Sequence, residues 1–107
     1  MDFIVTGTAA YGPFNPDSSD LDIVLYEEDA IDLEDYLDNH GISVHNPGNA
    51  WHYNNGGYYF NLESMRFNII VAENKQDFDK WKRRTEAMKK IVPIEDRDKR
   101  VQKFKSF

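Results

Sequence analysis

Apolar and polar positions alternate between short strand-like blocks and helical spacing in the first two thirds of the chain, and keep helical spacing in the last third. Residues 3–6, Phe-Ile-Val-Thr, read as a short strand, and Gly7 breaks it. Residues 8–11 suit one helical turn. The stretch 12–19, with two Pro, one Asn, one Asp and two Ser, reads as a loop. Residues 21–26, Leu-Asp-Ile-Val-Leu-Tyr, form a second strand. A helix follows over 28–39, with Ile31, Leu33, Tyr36 and Leu37 as its apolar stripe, acids opposite, and Gly41 as its stop. Residues 42–44 read as a short third strand and 45–55 as a polar loop. Residues 58–62 and 66–71 pattern as a hairpin closed by Glu63-Ser64-Met65.

Asn74 is placed to cap the next helix, with Asp77 three residues on. Phe78, Trp81, Met88 and Ile91 line one face of that helix, with Thr85 on the same stripe, and Pro93 ends it. Residues 95–104 pattern as a last helix with Val101 and Phe104 inward. The predicted order is βαβαβββαα: an α/β (α+β) domain in which helices flank a small mixed sheet. At 107 residues the whole chain, 1–107, reads as a single domain. No repeat or low-complexity segment interrupts it.

Charge changes this picture more than composition does. Hydrophobic residues at 40% and charged residues at 30% describe a globular chain and exclude a disordered one. The net charge of −6 conceals a partition. Residues 1–65 hold twelve acids and no Lys or Arg, whereas residues 66–107 hold thirteen bases and seven acids. The halves can attract each other in the fold, and acids can hold a divalent metal while bases meet phosphates; one does not exclude the other. Without cysteine the chain has neither disulfides nor thiolate metal sites. No apolar run approaches the roughly 20 residues of a membrane span, and the N-terminus lacks the basic region of a signal peptide. The expected setting is therefore the cytoplasm, with no membrane partner.

The candidate chemistry lies between residues 7 and 22. Side chains alternate along a strand, so Asp20 and Asp22 point to one face and converge. Two carboxylates that close repel, and a cation between them relieves the repulsion. Mg²⁺ (or Mn²⁺) suits such hard oxygen ligands and keeps positions open for phosphates. Gly7 allows close backbone approach at the strand end, and the Thr8 hydroxyl with nearby amides suits phosphate oxygens. Further along, Lys80, Arg83 and Arg84 are phosphate candidates on the basic helix. They equally suit a solvated face or pairing with the acidic half. Asn68, inside an otherwise apolar strand, suits either a buried hydrogen-bonding role or a place in the site. His45 and His52 lie in one loop without enough ligands for zinc. Trp51, His52 and Tyr53 in that loop could line a base or partner site.

The segment VTGTAAYGPFNPDSSDLDIVL, residues 5–25, resembles the signature of the DNA polymerase β-like nucleotidyltransferase superfamily in its minimal form. That signature is a strand, Gly-Ser or Gly-Gly, a spacer, then Asp-x-Asp on the next strand. Here Gly7-Thr8 stands at the Gly-Ser place and Asp20 and Asp22 are the carboxylates; Ser19 and Gly12 also fit. The segments MRFNIIVAENKQDFDKWKRRTEAMKKI and DKRVQKF resemble a group of small phage-encoded nucleotidyltransferase-like proteins. The resemblance implies Mg²⁺ on Asp20 and Asp22, and a nucleoside triphosphate bound through Gly7, Thr8 and Ser19. It further implies transfer of a nucleotidyl group to a hydroxyl of a protein, small molecule or nucleic acid, in the bacterial host cytoplasm if the chain is phage-encoded. The superfamily's third carboxylate maps to Asn68, a neutral residue that can ligate metal but cannot act as a base. Asp17 and Glu63 are substitutes that no spacing selects. The alternative is a catalytically impaired member that serves as a regulatory or host-binding module.

Overall fold

Two antiparallel strand pairs, one from each half of the chain, join side by side into a four-stranded mixed sheet. The computed structural model describes residues 1–15, 17, 20–46 and 56–107. β1 (Phe3–Thr6) runs antiparallel to β2 (Leu21–Tyr26), and β3 (Gly57–Leu62) runs antiparallel to β4 (Met65–Ala72). A parallel pairing of β2 with β4 unites them in the order β1-β2-β4-β3. The two parallel strands are the central ones. Their runs Ile23-Val24-Leu25 and Ile69-Ile70-Val71 are apolar on both faces, as a doubly covered strand requires.

Each face has its own cover. Val24, Ile70 and Ala72 meet Phe78, Trp81, Met88 and Phe104 from α3 (Lys75–Lys89) and α4 (Arg97–Ser106). Leu25, Ile69, Tyr58 and Phe60 meet Ala30 and Leu37 from α2 (Glu27–Asn39). The single turn α1 (Thr8–Tyr11) closes the end of β1, and Tyr11 packs against the α3–α4 cluster.

Local signals explain most element limits. Asn74 caps α3 by accepting from the Asp77 amide at 2.9 Å, and Asp96 caps α4 by accepting from the Lys99 amide at 3.0 Å. Gly41, at φ 73°, follows the end of α2, and the Ile42 amide returns to the Leu37 carbonyl at 2.9 Å. The last helix begins at Arg97 and not at 95, because the Asp96 cap fixes its start.

Among the described residues the order is βαβαββαα, one strand fewer than expected. Residues 42–44 do not form a strand. Ile42 and Val44 tuck half-buried against the α2-side core, and His45 alone pairs with Tyr59, through amide–carbonyl bonds of 2.9 and 2.8 Å. With the two apolar side chains of this segment drawn into packing, His45 is its one described position that continues the sheet. Among the described residues, no helix is long and apolar enough to cross a membrane.

Candidate functional site

The site is a row of residues running across the sheet on the face that α3 and α4 cover. Register sets Thr6 opposite Asp22, Asp22 beside Asn68, and Asn68 opposite Tyr59. Paired residues share a face, so four strands contribute one residue each to the row. Thr6 is fully buried and its hydroxyl meets that of Thr85 on α3 at 2.7 Å. Asp20, just before β2, adds a second carboxylate.

Asn68 organises the acids. Its side-chain NH₂ donates to Asp20 Oδ2 at 3.1 Å and to Asp22 Oδ1 at 2.9 Å. The opposite amide orientation would turn a carbonyl oxygen onto two anions, so the charges themselves choose this one. The Asn inside an apolar strand therefore answers the Asp inside the neighbouring strand. Spacing alone had already set Asp20 and Asp22 on one face.

Gly7 supplies the room. It adopts φ 67° and ψ −158°, a conformation that favours glycine. A Cβ at this position would collide with Asp22 Oδ2 and lie 3.1 Å from Asp22 Cγ. The Gly7 carbonyl accepts from the Ala10 and Tyr11 amides at 3.0 and 3.1 Å, which starts the turn α1, with Thr8 as its first residue, directly after this glycine.

Burial dominates the electrostatics. Removal from water pushes the Asp22 carboxyl up from its ordinary 3.8 to about 6. The Asn68 hydrogen bond opposes this rise, the nearby Asp20 charge adds to it, and the Arg97 guanidinium opposes it. Arg97, the first residue of α4, thus bears on the site although nothing in its sequence surroundings singles it out.

The other candidate residues are distributed differently. Phe78 stacks on Tyr26 at 4.4 Å while Thr85 reaches the Thr6–Asp22 row, so α3 runs back along β2 from its far end. Lys80 lies in the turn next to Phe78, near the far end of β2, and pairs with Asp77 at 3.8 Å. Arg83 is exposed on the outer side of α3. Arg84 donates through Nε to the Phe107 carbonyl at 2.9 Å and through an NH₂ group to the Lys105 carbonyl at 3.2 Å, tying α3 to the end of α4. These three are not brought to the carboxylates as a group. Ser19, Trp51, His52 and Tyr53 lie outside the described residues.

A divalent cation fits this donor set once. Oxygens of Asp20 and Asp22 turn toward one point, the Asn68 nitrogen, and hard carboxylate oxygens suit Mg²⁺. Rotation of the Asn68 amide would offer its carbonyl oxygen as a third hard ligand. Among the described residues, no group of three or more His, Cys, Asp or Glu converges on one point. The acids of the site are therefore a pair. Neither a protein-family model, nor a curated protein, nor a solved structure matches this chain.

Proposed function

We propose that the row is a nucleotidyltransferase-type site in which Asp20 and Asp22 hold one Mg²⁺ or Mn²⁺ ion. The substrate is a nucleoside triphosphate with its phosphates over Gly7 and Thr8. The reaction passes the nucleotidyl group to a hydroxyl acceptor on a protein, a small molecule or a nucleic acid, with pyrophosphate leaving. The observation that carries this reading is the convergence of two carboxylates beside a glycine whose missing Cβ leaves Asp22 its space. A bound divalent ion supplies charge neutralisation at the phosphates. The chain's own parts hold and orient: Asn68 fixes both carboxylates, Gly7 admits Asp22 close to backbone, and Arg97 adds positive charge near Asp22.

One observation favours a second reading, a nucleotidyltransferase fold kept as a binding or regulatory module. The Asn68 NH₂ satisfies both carboxylates without metal, and a neutral amide cannot take the acceptor's proton. Calorimetric titration with ATP, GTP, CTP and UTP, with and without Mg²⁺, separates the two. The enzyme reading expects metal-dependent binding that Asp22→Asn abolishes. Absence of binding at millimolar nucleotide sinks it. Nucleotidyl transfer that appears only in Asn68→Asp, and not in the native chain, supports the second reading.

A further inference from the structure

A further cation near the site is held by a ring contact with an edge strand. Arg66 lies two residues before Asn68 on β4, hence on the same face and about 6.6 Å along the strand. Leu21 pairs with Phe67, so Asp20 and Arg66 are the next positions outward on their two strands. Arg66 is exposed, yet its guanidinium is not loose. It lies over the Tyr59 ring, 4.2 Å from the centroid. The same ring stacks against His45 at 4.9 Å, and His45 is locked to Tyr59 by the backbone pair at the sheet edge. A half-buried tyrosine thus fixes the place of an arginine whose backbone lies one strand repeat from Asn68.

A planar guanidinium fixed by stacking loses little freedom when it binds, and its fork suits phosphate oxygens. Of the cations nearby, Arg97 acts on Asp22, whereas the Arg66 guanidinium is directed to Tyr59. We infer that Arg66, positioned by Tyr59, binds the triphosphate tail of the nucleotide whose metal Asp20 and Asp22 hold. The inference rests on the proposed nucleotidyltransferase-type site and adds its substrate clamp. It moves phosphate recognition from α3 to the sheet edge. One strand repeat separates Arg66 from Asn68, so both reach a single polyphosphate. A nucleic-acid backbone would instead need a track of such cations, and register leads here to one.

The test uses the full chain, inorganic tripolyphosphate with Mg²⁺ as probe, and Mn²⁺ alone followed by electron paramagnetic resonance. Arg66→Ala should weaken tripolyphosphate by about tenfold or more and leave Mn²⁺ affinity unchanged. Tyr59→Leu should weaken it severalfold with Arg66 still present, and Tyr59→Phe, which keeps the ring, should restore it. A solely structural role for Tyr59 would shift the melting temperature without this pattern. If Mn²⁺ and tripolyphosphate both bind and Arg66→Ala matches wild type, the clamp is wrong and the metal site stands. If Arg66→Ala loses only binding of a single-stranded oligonucleotide, Arg66 serves the acceptor and the inference is overturned. If wild type binds neither Mn²⁺ nor tripolyphosphate, the site reading fails and the clamp fails with it.

Discussion

Asp22 is buried where a carboxylate is costly, and that cost has a measurable sign. The folded carboxyl is held at about 6 against an ordinary 3.8, so the folded state binds the proton more tightly than the unfolded chain does. Stability from this group is full below about pH 4 and is lost as pH rises through about 6, by at most about 3 kcal/mol. Asp22→Asn should remove the loss. In metal-free buffer the variant should melt higher than wild type at pH 7 and about equally at pH 4, in paired thermal scans. A variant less stable than wild type at pH 7 would show that the carboxylate supports the fold. Gly7 gives the opposite result, because Gly7→Ala sets a methyl group against the Asp22 carboxylate and strains the backbone. A loss of about 2–4 kcal/mol in urea unfolding is expected. The sequence showed these two residues through spacing. It did not show what Asn68 does, because a donor shared by two strands 46 residues apart exists only in register.

At the scale of elements, α3 joins packing to the site. Its apolar stripe was legible from helical spacing, and Thr85 stood on that stripe as the polar exception. The structure supplies the reason: Thr85 meets Thr6 in the interior, one strand away from Asp22. Thr85→Val should leave the Thr6 hydroxyl buried and unpaired, at a cost of about 1–3 kcal/mol. The double variant Thr6→Val with Thr85→Val should recover most of that loss in a double-mutant cycle; additive losses would mean the hydroxyls do not depend on each other. The basic residues of α3 were less legible. Composition cannot tell Arg84, which holds the end of α4, from Arg83, which points outward. The third strand failed for a related reason, since apolar spacing over 42–44 signals burial and does not distinguish a ladder from a tucked loop.

Across the whole molecule, the charge partition seen along the chain becomes a partition across the sheet. α2 has seven acids and no base, while α3 and α4 together have eleven bases and four acids on the opposite face. The ion pairs Lys75–Asp79, Lys80–Asp77 and Lys89–Glu86 are local to α3 and do not join the halves. With the sheet between the helix layers, direct attraction between faces is screened over a Debye length of about 8 Å in physiological salt. The sign change near residue 65 was plain in the sequence. That it would fall across the sheet depended on strand order, which no local pattern contains. The candidate site lies on the seam where strands of the two halves pair, Asp22 from the acidic half beside Asn68 from the basic one.

The parallel β2–β4 seam makes the protein divisible. Each half brings a complete antiparallel pair, so fragments 1–46 and 56–107 contain every strand and divide the site between them, Asp20 and Asp22 on one and Asn68 on the other. Co-expressed, the two pieces should copurify and regain one cooperative melt that neither shows alone. Their association should weaken as salt rises, since the first fragment has eleven acids and no Lys or Arg, and the second has thirteen bases and eight acids. Two independent melts from the mixture would show that the seam alone does not carry the fold. In a chain divided this way, assembly itself becomes the switch for the site.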